Sequence, residues 1–361
     1  MAGGASPRPL LFATWDGAGN LPPLLALVEA FARRGHEIHI LGHDVQRPQI
    51  EAAGAVFARY ETARQWDQGQ PSFLGADPVP AFLAFNQAAR DDFISVARRV
   101  DPATALVDCM LPEALAAAKS EGLRTVALVH ALYSFLIQFG GGVFKGPIDG
   151  ADLALGLSYG AFDVDAAFPA NLVFVGPPRP ATSRVWKRRL PGRPLVAASL
   201  STGLQGAEGA QLNLLQRICD AVGALEIEAL VTTGRGIAPE ELAAGANTAV
   251  ERSVPHEAVL GEADLLVTHA GHGTVMAALR FGVPMLCLPP GADQPANAAK
   301  VTALGLGETL DPPSSAKDIA AAIARLLADP ALKARSRAFA KEVAGHPGIE
   351  AAIERVEALI A

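Results

Sequence analysis

Short apolar runs alternate along this chain with longer stretches of helical spacing, and that alternation limits the fold more than any other feature. Leu10 to Thr14 is apolar, a turn through Gly17 and Gly19 follows, Leu24 to Arg33 is spaced as a helix, and Glu37 to Gly42 reads as the next strand. The pattern returns with Ala105 to Val107 ending in Asp108, the helical Pro112 to Ser120, and Thr125 to Val129 ending in His130. Strands joined by covering helices pair in parallel, with helices on both faces of the sheet. Ligands then belong beyond the carboxyl ends of the strands.

A second series begins after Gly176 to Pro194, a stretch rich in Pro and Arg that suits a linker. Strands are expected at Leu195 to Ser199, Glu228 to Thr232, Leu265 to Val267 and Pro284 to Leu288. Helices are expected at Ala210 to Val222, Ile319 to Leu327 and Ile349 to Ile360. The domains predicted are an N-terminal domain over 1–180, a linker over 181–194 and a C-terminal domain over 195–361, two similar α/β units facing across a cleft.

Several function classes fall away on charge and composition. A net charge of −7 gives no basic surface of the kind nucleic acid requires, and Arg184 to Arg189 is the one basic cluster. No apolar run reaches the about 20 residues that span a bilayer, and Met1 to Pro9 carries no signal-peptide core, so a cytoplasmic location is expected. Cys109, Cys219 and Cys287 follow no CxxC spacing, which predicts buried, inert thiols and no zinc site.

The chemistry concentrates at Thr268-His269-Ala270-Gly271-His272-Gly273-Thr274, between the apolar Ala263 to Val267 and the periodic Val275 to Phe281. A strand ending in a glycine turn that opens a helix gathers backbone N–H groups and the positive end of the helix dipole, which suits a phosphate. Gly271 and Gly273 permit close approach, Thr274 adds a hydroxyl, and His269 can donate to a diphosphate. His269 and His272 lack the neighbouring carboxylate that would complete a metal set. Gly17-Ala18-Gly19 lacks the third glycine of a dinucleotide fingerprint, and Gly156-Leu157-Ser158-Tyr159-Gly160 lacks the helix a nucleophilic serine needs. Asp163-Val164-Asp165 is read as a solvated turn rather than a metal-diphosphate ligand.

The run Thr268 to Thr274, with Ala277-Ala278-Leu279, Gly282-Val283-Pro284 and Asp293-Gln294-Pro295-Ala296-Asn297, resembles the donor-site signature of family 1 glycosyltransferases with the GT-B fold. Within these the chain looks like the bacterial macrolide and antibiotic branch. The resemblance implies two Rossmann-like α/β domains and a C-terminal helix that can cross back to the N-domain. It implies that His269, Gly271, Gly273 and Thr274 hold the diphosphate, that Asp293 and Gln294 read sugar hydroxyls, that Val254 and His256 flank the nucleobase, and that Ser201 and Thr202 approach the phosphates or the sugar. It further implies inverting, metal-independent transfer from a UDP or dTDP sugar to a hydrophobic, aromatic or polyketide-like acceptor, with no cofactor. Trp66, Phe82, Phe85, Tyr133 and Phe135 are candidates for the acceptor pocket, with ordinary core packing as the rival reading. A homodimer is left open.

The N-terminal motif departs from the family pattern. Where the family places histidine or aspartate after glycine as the base, Gly19-Asn20-Leu21-Pro22-Pro23 presents Asn20, whose amide can position a hydroxyl but not take its proton. Asp16 in the same turn is the first choice for the missing base, with Asp108 and His130 as alternatives. That departure keeps two further readings in play: a donor-binding auxiliary protein without turnover, and an epimerase or hydrolase acting on the nucleotide sugar itself.

Overall fold

The computed structural model describes residues 8–17, 19–65, 78–163, 167–178, 185–200 and 209–361. The chain divides into one unit formed by Met1–Pro180 together with His346–Ala361, and a second formed by Ala181–Gly345.

Seven strands build the first sheet: β1 Leu10–Ala13, β2 Ile38–Gly42, β3 Val56–Arg59, β4 Thr104–Asp108, β5 Arg124–Val129, β6 Leu153–Gly156 and β7 Leu172–Phe174. They lie in the order β3-β2-β1-β4-β5-β6-β7. Every pairing is parallel, as the strand and helix alternation requires. Along β1 and β4 the side chains alternate between two cores. Leu11, Ala13, Ala105 and Val107 enter one, while Leu10, Phe12 and Leu106 enter the other with Leu24, Leu27 and Val28 of the Leu21–Arg33 helix. The sheet is thus covered on both faces.

The helix Gly348–Ile360 completes that second core, inserting Ala352, Ile353 and Val356. Arg34 pairs with Glu350 and Glu357 at 2.8 and 2.7 Å, and His36 meets Glu357 at 3.0 Å. Residues 346–361 therefore pack with the first unit, the crossing back that the resemblance implied for the C-terminal helix, although the predicted domain bounds had run over 195–361. The amphipathic spacing of this helix was legible, but the apolar face it would cover was not.

Six strands build the second sheet: β8 Leu195–Ser199, β9 Glu228–Thr232, β10 Thr248–Glu251, β11 Leu265–Thr268, β12 Met285–Cys287 and β13 Gly307–Thr309. Their order is β10-β9-β8-β11-β12-β13, again parallel throughout. In each sheet the strand order reverses beside the first strand, between β1 and β4 and between β8 and β11, where doubly wound folds open a ligand crevice. The described part of the expected linker is tied to the second sheet. Buried Glu228 accepts from Arg188 at 2.9 Å and from the backbone N–H of Arg189 at 2.6 Å, and Trp186 N–H reaches Ala258.

Candidate active site

At the reversal point of the first sheet the loop after β1 meets the end of β4. Asn20 caps the Leu21–Arg33 helix, whose first turn holds Pro22 and Pro23 where no backbone N–H is needed. Its side-chain nitrogen lies 2.7 Å from Asp108 Oδ2 and 3.0 Å from both Thr14 Oγ1 and the Trp15 carbonyl. A carboxylate only accepts, which fixes the amide's orientation and leaves Asn20 Oδ1 buried without a partner. Gly17 belongs to this arrangement, since a Cβ there would come within 2.9 Å of Asn20 Oδ1 and 2.7 Å of the Trp15 ring.

Asp108 is buried and accepts twice more, from Met110 N–H at 2.9 Å and from His130 Nε2 at 2.8 Å. The register explains the meeting. Asp108 of β4 is opposite Leu128 of β5, so His130, two residues on, emerges on the same face. Burial works against a charge on His130, but the Asp108 carboxylate and the neighbouring Cys109 outweigh it and raise the imidazole well above its usual range. Asp16, the first choice from sequence, is half-buried and accepts from Gln65 Nε2 at 3.2 Å. Cys109 also joins Asp108 and His130, with one ligand atom from each within 4.8 Å of the others. The cysteine spacing in sequence carried no hint of that grouping.

The aromatic candidates separate into different settings. Trp66 lies outside the described residues. Tyr133 is core, its hydroxyl donating to Asp149 at 2.6 Å, and Phe85 is buried against His43 and Tyr60. Phe82 and Phe135 are only partly buried and join a group with Phe139 and Phe144, at centroid distances of 5.1 to 5.9 Å. Sequence reasoning passed over His43, which follows β2 and is buried against Tyr60 and Phe85, because nothing near it in the chain marks it. Asp163 corrects the solvated-turn reading: it is fully buried and accepts from Ser134 N–H at 3.1 Å, while Asp165 lies outside the described residues. Ser158 is buried, and a single short turn, Gly160–Phe162, follows instead of a helix.

In the second unit His269 leaves β11 directly and the helix His272–Phe281 starts three residues later. Between them Ala270 takes a positive φ of 64°, and Gly271 makes room for the imidazole, since a Cβ at this position would collide with the ring. Burial pushes His269 down to about 4, and a second proton is further disfavoured by His256. The ring is therefore neutral at pH 7, and its Nδ1 is buried without a partner. Thr274 is buried in the first helical turn, while Gly273 is exposed.

Asp293 caps the helix Gln294–Ala303 and accepts from Asn297 Nδ2 at 2.8 Å. Asn297 is fully buried and also donates to the Ala270 carbonyl at 3.0 Å, so it joins the sugar-reading candidate to the turn that carries His269. The sequence motif contained Asn297 but assigned it no part. Gln294 is buried and accepts from Gly291 N–H at 3.3 Å. Val254 is buried, and His256 opens the short helix His256–Val259 half-buried. Ser201 and Thr202 lie outside the described residues. Among the described residues no helix is long and apolar enough to cross a membrane.

Residues 216–359 match the family described as "Erythromycin biosynthesis protein CIII-like, C-terminal domain". A 4'-demethylrebeccamycin synthase from Lentzea aerocolonigenes is 31% identical over 199 residues, which cover 53% of this chain and 46% of that protein. The first relatives found are matched over about half of their own length. The calicheamicin glycosyltransferase CalG4 superimposes with a TM-score of 0.83 at 23% identity, over 99% of both chains. The glycosyltransferase VinC, solved in complex with dTDP, does so with a TM-score of 0.75 at 19% identity, over 98% of this chain and 99% of its own. The fold is GT-B, and the resemblance read from Thr268 to Asn297 is borne out in the C-terminal family and in the architecture.

Proposed function

We propose that this chain, a member of the erythromycin CIII-like C-terminal domain family through residues 216–359, is an inverting, metal-independent glycosyltransferase. It would move a sugar from a dTDP or UDP donor to a hydroxyl of a hydrophobic natural product, aromatic or polyketide-like. One observation carries this reading: a neutral histidine, His269, with a buried unpartnered ring nitrogen, stands directly before a helix N-terminus at the strand-order reversal. Such a histidine can donate to a departing diphosphate without adding a fixed charge, and the helix N–H groups meet the rest of the developing negative charge. Asp293, held by Asn297 close to that turn, is suited to sugar hydroxyls.

The geometry favours His130 over Asp16 as the base. Asp108 holds Nε2–H of His130, so that Nδ1 of the neutral ring is the atom to take the acceptor's proton, and it stabilises the imidazolium that results. Asn20 occupies the place where the family carries its base and holds Asp108 through its side-chain nitrogen. The dyad is thus rebuilt from the opposite side of Asp108.

The test incubates the purified protein with a panel of dTDP and UDP sugars, with and without aromatic alcohols and phenols, and identifies every product. Glycosylated acceptor with inverted anomeric configuration is expected, unchanged by chelator. Sugar release or epimerisation independent of acceptor would make it a hydrolase or epimerase. Donor binding with no product from any acceptor would point to the auxiliary reading.

A further inference from the structure

Asp108, Cys109 and His130 offer a carboxylate oxygen, a thiol sulfur and an imidazole nitrogen within 4.8 Å of one another. Oxygen, sulfur and nitrogen donors are the kinds that a tetrahedral zinc ion accepts, and three of them leave a fourth position open. Among the described residues no other three His, Cys, Asp or Glu side chains converge in this way.

The grouping is built into the sheet. Cys109 N–H donates to the Leu128 carbonyl at 3.0 Å, continuing the β4 to β5 ladder past Asp108, so the backbones carrying all three groups are fixed. Asn20 and Met110 N–H hold Asp108 from outside, as second partners orient metal-binding carboxylates. Asp108 and Cys109 are buried, whereas the His130 side chain is 18% exposed and provides the way in.

We propose that Asp108, Cys109 and His130 bind a thiophilic divalent cation, Zn2+ foremost, and that the bound ion switches transfer off by occupying the base. The ion is an inhibitor here and not a cofactor, because it takes the imidazole electron pair that would receive the acceptor's proton. The inhibitory half rests on His130 being the base; the binding half does not.

The experiment titrates Co2+ into the full-length protein after chelator treatment and follows the thiolate-to-cobalt charge-transfer band in the near ultraviolet, then displaces it with Zn2+. The band should form in the wild-type protein and be lost in Cys109→Ser and Cys109→Ala, two variants chosen so that one poorly folded protein does not decide the matter. In parallel, Zn2+ should inhibit wild-type transfer reversibly, and both variants, each measured against its own turnover without metal, should need at least about tenfold more Zn2+ for the same fractional inhibition. No band in the wild type, or a band of equal size in the variants, overturns the site. A band that depends on Cys109 while Zn2+ leaves transfer untouched keeps the site and overturns the switch. If the protein transfers no sugar at all, the cobalt titration still decides whether the site exists.

Discussion

The two sheets each carry a histidine just past a strand end, and the surroundings drive the two rings in opposite directions. His130 stands against the buried carboxylate of Asp108 and is raised well above the usual imidazole range despite burial. His269 has burial without a carboxylate, and falls to about 4. The same side chain thus holds a second proton tightly in one place and is neutral at pH 7 in the other. A partner within hydrogen-bonding distance decides the outcome, because burial penalises the charge in both. In the proposed reaction the two ends of the transfer ask for that division: a proton leaves the acceptor, and negative charge builds on the leaving group.

The comparison can be broken most forcefully at His130. His130→Asn should lower kcat/KM by about 10²–10⁴-fold while calorimetric affinity for the nucleoside diphosphate stays unchanged. The loss should be far smaller on an acidic phenol than on an aliphatic alcohol. Asp16→Asn serves as the control, and if it rather than the His130 variant shows this pattern, the dyad is structural and the base sits in the first turn.

His269→Ala comes next, with an expected loss of about 10²–10³ in kcat, comparable to removing one oxyanion donor. In the proposed role the neutral ring acts on the diphosphate, so affinity for the free nucleotide should fall as well, and turnover equal to wild type would separate this residue from the leaving group. Gly271→Ala sharpens the same point without touching the imidazole's chemistry. The added methyl displaces the ring, and a loss of up to about 10²-fold in kcat with an unchanged melting temperature is expected, as for a group misplaced by an ångström.

The last prediction concerns stability and its sign. His269 is held at about 4 in the fold against about 6.5 in the unfolded chain, so below pH 6.5 the unfolded state takes up a proton that the native state refuses. The contribution is present in full above about pH 6.5 and is lost as pH falls through about 4, on the order of 3 kcal/mol. Urea unfolding of the wild type and of His269→Gln at pH 7.5 and 4.5 measures it. The wild type should lose more than the variant, and equal losses would mean that the ring is not held neutral.

Much of the fold could be read because it rests on local spacing. Leu195–Ser199, Glu228–Thr232 and the Pro112–Ser120 helix lie where the apolar periods placed them. The short edge strands Val56–Arg59 and Thr248–Glu251 and the helix Pro330–Val343 were missed, their apolar signals being weak or interrupted. On its own the sequence determined the alternating α/β plan and the turn from Thr268 to Thr274. Period-two and period-3.6 patterns and glycines at a strand end are properties of neighbours in the chain. Tertiary structure alone decided which core Ala352, Ile353 and Val356 of the last helix fill and that Asp108 joins Asn20, 88 residues away, to His130, 22 residues away. Parallel register sets which side chains emerge together at the end of a sheet, and register arises between strands, where no local pattern records it.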